Sequence, residues 1–81
     1  MTKEPDVEQR MTNLFYAIGY YRRRRGLSQE QLAEEVGISR QHMAAIESPN
    51  MDRGLSLALL FRLARALEVE PYVLLKFGTE E

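Results

Sequence analysis

Cysteine is absent from the 81 residues, so no disulfide can staple this fold and no thiolate can hold a metal. Histidine occurs once, at His42, which rules out a histidine-cluster metal site. No apolar run approaches the roughly 20 residues a helix needs to cross a bilayer, and no signal peptide opens the chain. We therefore expect a cytoplasmic protein with no membrane association, no metal and no cofactor. Strand signals and internal repeats are missing as well. Net charge is nearly missing, at −1. What is present, 44% apolar residues, suits one small globular domain rather than disorder. A domain of this size buries only about 60% of its unfolded surface, so modest stability is expected.

Helical periodicity dominates the rest. Pro5 suits a first helical position, where its missing N–H costs nothing, and Asp6 and Glu8 come next, where the helix dipole favours acids. Val7, Met11, Leu14, Ile18 and Tyr21 recur at spacings of four and three, forming one stripe that Phe15 widens. The pattern predicts a first helix over residues 5–25, ended by Gly26. Ser28, with Gln31 three residues on, makes a capping box for a second helix over 28–35. A third helix is expected over 39–47. Pro49, Asn50 and Gly54 predict a loop over 48–54. Ser56 caps a fourth helix that ends near Glu68, with Leu57, Leu60, Leu63, Ala64 and Leu67 as its stripe. Pro71 opens a short fifth helix containing Val73, Leu74 and Phe77. Residues 1–4 should fray, 5–77 should form the domain and 78–81 should trail as a tail. Tyr16, Tyr20 and Tyr21 read better as core and boundary packing than as a ligand pocket.

The most informative stretch is 29–48. Leu32, Ala33 and Val36 form an apolar patch on one short helix, and Met43 and Ile46 form another on the next. Gly37 lies between them, where a chain leaving a helix often needs positive φ, and Ser39 can cap the second of the two helices. Ala33 is small enough to let the two helices approach closely. A short glycine-containing turn between two helices is the helix-turn-helix signature. The run Arg25-Gly26-Leu27-Ser28-Gln29-Glu30-Gln31-Leu32-Ala33-Glu34-Glu35-Val36-Gly37-Ile38-Ser39-Arg40 resembles the xenobiotic-response-element (XRE) family of bacterial and phage repressors. Leu60-Phe61-Arg62-Leu63-Ala64-Arg65-Ala66-Leu67 is similar to that family's fourth helix, and the likeness spans about residues 14–75. It implies an all-α, compact five-helix lambda-repressor-like domain that binds duplex DNA as a transcriptional regulator, most simply a repressor.

Base readout needs donors and acceptors at the exposed start of the third helix, which the major groove can admit. Arg40 can fork onto guanine O6 and N7, and Gln41 can pair with adenine N6 and N7. Ala44 and Ala45 can touch a thymine methyl or allow close approach. The resemblance places Arg40, Gln41, Ala44 and Ala45 at base-facing positions. It places Gln29 on a phosphate at a helix N-terminus, and it pairs Arg22 with Glu47 near another phosphate. Ser39 and Arg53 complete the expected phosphate set, Ser39 doubling as a cap. The loop before the fourth helix is about two residues longer than the family's usual spacing. Arg22 to Arg25 sweep about 300° of a helix, so only one or two of them can meet one DNA surface.

Charge is the main objection to DNA. It is, however, polarised: Arg10 and Arg22 to Arg25 give residues 10–25 a net +5, while Arg40 and Arg53 against Glu30, Glu34, Glu35, Glu47 and Asp52 give 26–54 a net −3. Phosphates respond to local potential rather than to the total. One half-site buries little area, so a homodimer is expected, joined through the fifth helix with Tyr72, Leu75 and Phe77, or through the loop before the fourth. The rival reading is a protein-interaction module, such as an antitoxin subunit or adaptor with a toxin or other protein partner. No nucleophile–base pair accompanies His42, so an enzyme is not expected.

Overall fold

Proline opens the first helix and serines cap the next three. The computed structural model describes residues 5–48 and 55–78. Its five helices, in chain order, are α1 (Pro5–Arg24), α2 (Gln29–Val36), α3 (Arg40–Glu47), α4 (Leu57–Leu67) and α5 (Pro71–Leu75). The expected fraying of 1–4, the long loop with Arg53, and most of the 78–81 tail lie outside the described residues.

The capping logic holds at the starts of α2, α3 and α4. Ser28 accepts from the Gln31 N–H at 3.0 Å while the Gln31 side chain accepts from the Ser28 N–H at 2.8 Å, which completes the capping box. Ser39 accepts from the His42 N–H at 2.9 Å and Ser56 from the Leu59 N–H at 3.0 Å. The serines thus stand just outside their helices, and Val36 extends α2 by one residue beyond the expected end. Gly37 closes α2 at φ 81°. A Cβ there would meet nothing within 4 Å, so the demand for glycine is conformational, not a matter of space.

α2 packs on α3 and α4, and α1 packs across α3, α4 and α5. The shared core is Phe15, Ala17 and Ile18 from α1, Leu32, Ala33 and Val36 from α2, Met43 and Ile46 from α3, five residues of α4, and Leu74. Ala33, at 2% exposure, sits where α2 crosses its neighbours, as its size allows.

Four apolar expectations need correction. Val7 and Met11 continue the core stripe of α1 by spacing, but both are exposed; the buried part of the stripe begins only at Phe15. Leu57 belongs to the α4 stripe by spacing, yet it is 65% exposed; the helix turns its core face only from Leu59 onward. Phe77 falls after α5 rather than within it, packing on Tyr20 and Tyr21 with ring centroids 5.5 and 6.2 Å away. Of the α1 tyrosines, only Tyr21 is half-buried against the core, while Tyr16 and Tyr20 are exposed.

Candidate nucleic-acid interface

The position of α3 is set by two opposed faces. Met43 and Ile46 are fully buried and hold the helix down, while Arg40, Gln41, His42 and Ala44 are exposed and Ala45 is half-buried. At 100° per residue, Gln41, Ala44 and Ala45 lie opposite the buried pair, and Arg40 and His42 flank them on either side. The structure therefore gathers Arg40, Gln41, Ala44 and Ala45 on one outward surface at the start of α3. That surface combines a forked cation, an amide with both donor and acceptor, and two methyls, a set able to read base edges. The Ser39 hydroxyl is occupied by its cap, which sets where this surface begins.

The other end of α3 is pinned by charge. Arg22 donates from Nε to Glu47 Oε2 at 2.8 Å and from Nη2 to Glu47 Oε1 at 3.0 Å, a bidentate fork. Its Nη1 donates to the Leu27 carbonyl at 2.8 Å. The two side chains are only 11% and 8% exposed, so the pair is largely desolvated. Gln29 joins them, donating from Nε2 to Glu47 Oε1 at 3.2 Å. The Arg22–Glu47 pair, with Gln29, thereby ties the end of α1, the turn before α2, the first residue of α2 and the end of α3. The expected Arg22–Glu47 pair is present; Gln29, expected on a phosphate, is turned to that same acid.

Gly19 is the residue that sequence reasoning passed over. It is buried in the middle of α1, where glycine costs about 0.5–1 kcal/mol relative to alanine. A Cβ added there would lie 3.1 Å from Glu47 Oε1 and 3.3 Å from Arg23 Nη1. The gap admits the carboxylate. A lone glycine amid long side chains on a strongly periodic helix was the available signal.

The arginine run divides as helix geometry requires. Arg22 is committed to Glu47. Arg25 donates to the Ala66 carbonyl at the end of α4 and lies 3.7 Å from Glu68. Arg24 sits over the Tyr20 ring at 5.9 Å. Arg62 donates to the Val36 carbonyl at 3.2 Å, closing the end of α2. Arg25 and Arg62 therefore satisfy helix C-termini, where cations are favoured. Among the described residues, no helix is long and apolar enough to cross a membrane.

A capped two-helix corner that props a polar, small-residue face outward, inside a five-helix bundle, defines the helix-turn-helix class of DNA-binding modules. Comparison with known proteins agrees. The helix-turn-helix family matches residues 18–74. An uncharacterized HTH-type transcriptional regulator from Methanocaldococcus jannaschii is 43% identical over 51 residues, covering 63% of this chain and 74% of that protein. A second such regulator, from Methanothermobacter thermautotrophicus, is 47% identical over 47 residues, covering 58% of this chain and 65% of its own. Among solved structures, the restriction-modification controller protein C.AhdI from Aeromonas hydrophila superposes with a TM-score of 0.71 at 33% identity, covering 79% of this chain and 94% of that one. The hypothetical transcription factor NHTF from Neisseria gives 0.77 at 32% identity, covering 88% and 79%. The chain belongs to the helix-turn-helix family, in its XRE branch, a family of DNA-binding transcription regulators rather than of enzymes.

Proposed function

We propose that this chain is a repressor that binds a specific duplex sequence as a homodimer and occludes a promoter, acting in the cytoplasm through residues 5–77. α3 lies in the major groove. Arg40 and Gln41 read base edges, Ala44 and Ala45 let the helix approach, and Gln29, Ser39, Arg22 and Arg53 lie along the phosphates. The observation that carries this reading is the outward face of α3, where those readout side chains are exposed together opposite a fully buried Met43 and Ile46. The fold it shares with a restriction-modification controller protein supports a regulatory output. Gln29 reaches a phosphate by letting go of Glu47, whose charge Arg22 already neutralises.

An eight-residue α3 is about 12 Å long and covers one half-site. Two copies spaced about one DNA turn, about 34 Å, supply the missing area. Tyr72 and Leu75 on α5, at 60% and 52% exposure, support a contact between copies there. Phe77 belongs less to that contact, since it packs inward on Tyr20 and Tyr21.

Selection of bound molecules from a pool of random duplexes tests the proposal in one step. The expected product is a short inverted repeat with its half-sites about one turn apart. Recovery of no preferred sequence would rule out specific repression.

A further inference from the structure

Neither the resemblance nor the fold says which of the remaining arginines meets DNA, but the gap at Gly19 decides it. Within the run, Arg22 is held by Glu47, Arg25 by the end of α4, and Arg24 by the ring of Tyr20. Arg23 is left. Among the described residues it has no ion-pair, hydrogen-bond or ring partner, and it is exposed. Its guanidinium nonetheless has a defined place. Nη1 reaches back one turn over Gly19, to the same point that Glu47 Oε1 approaches from α3. Any side chain at position 19 would stand between them.

We propose that Arg23 is a DNA-backbone contact, set beside the end of α3 by the missing side chain of Gly19; this rests on the duplex-binding reading above. The electrostatics favour it. Arg22 and Glu47 cancel each other, so the charge left over at this junction is that of Arg23. The junction also carries the Gln29 amide at the start of α2, within 3.2 Å of Glu47. A phosphate at this edge would meet one uncompensated guanidinium, able to grip two oxygens, and one amide donor. Arg24, one residue on, is turned about 100° away and held over Tyr20, so it is the matched control for charge on the same helix.

Duplexes recovered by selection provide the probe, and binding is measured across a series of salt concentrations for the full chain. A protein that neutralises a phosphate releases counterions, and each such contact contributes about −0.9 to the slope of log affinity against log salt. Arg23→Ala should flatten that slope by about one contact and weaken all sequences alike. Arg24→Ala should leave it unchanged, and Arg23→Lys should restore most of it. Equal slopes for wild type and Arg23→Ala, or equal losses for Arg23→Ala and Arg24→Ala, would overturn the assignment while leaving duplex binding intact. If the wild type binds no duplex, the function proposed above falls first and this contact falls with it. Both positions are exposed, and circular dichroism of each variant checks that folding is unchanged.

Discussion

Two residues at the start of α3 and one at its end carry different kinds of energy. Arg40 and Gln41 are exposed, so replacing both with alanine should leave stability nearly unchanged. Binding to the selected site should fall by roughly 1–3 kcal/mol per lost base contact, with preference relaxed at those positions. Undiminished binding of the double variant would remove α3 from the groove. Glu47 is the opposite case. Glu47→Ala leaves the fork of Arg22 largely desolvated with no acceptor, and breaking such a pair costs roughly 3–5 kcal/mol. Urea unfolding should show that loss; a change below about 1 kcal/mol would mean the pair behaves as a surface contact. The pairing of Arg22 with Glu47 could be anticipated from the resemblance. The third partner, Gln29, could not, because sequence carries no record of which rotamer a flexible amide adopts. Gly19 was legible as an anomaly, though not its purpose, since the atoms it makes room for lie 28 positions away in the chain.

Helix ends are the part of this protein that sequence describes best. Ser28, Ser39 and Ser56 each accept from the third residue of the helix they open, because a short hydroxyl side chain satisfies a donor that the helix itself leaves bare. Ser39→Ala should therefore lower stability by about 1 kcal/mol, which thermal unfolding would register as a drop of about 4–8 °C. One end breaks the usual chemistry. Glu68 closes α4 at φ 62°, where a glycine would be unstrained and other residues bear roughly 1–2 kcal/mol. Glu68→Gly should raise the melting temperature. The ion pair it removes, with Arg25 at 3.7 Å and Glu68 71% exposed, contributes little. A fall in melting temperature would mean that contact matters more than the backbone strain. Periodicity misled where it continued past the bundle. Val7, Met11 and Leu57 sit on correct stripes, but a stripe is buried only as far as a neighbour covers it.

At the scale of the molecule, a near-neutral total charge is compatible with a DNA-binding face because the arginines are divided by use. Arg25 and Arg62 close helix ends, and the charge that Arg22 would bring to a phosphate is offset by Glu47. The number of phosphate contacts should accordingly be smaller than the 11 lysines and arginines would suggest, and the salt slope correspondingly shallow. Tyr72→Ala with Leu75→Ala tests the proposed assembly. Both are exposed in the single chain, so the variant should fold normally, sediment as a monomer and lose affinity for a two-half-site duplex far more than for one half-site. Unchanged binding to both would remove α5 as the contact between copies.

The order of helices, their serine caps, the positive φ at Gly37 and the membership of α3 in a helix-turn-helix were determined by sequence alone. Each depends on residues within a few positions of one another, where spacing and hydrogen-bonding capacity leave few choices. Only the tertiary structure decided which arginines of the run are tied within the fold and which is left exposed without a partner among the described residues, because Arg22, Arg23, Arg24 and Arg25 are the same residue until Glu47, Gly19, Tyr20 and the end of α4 are brought to them.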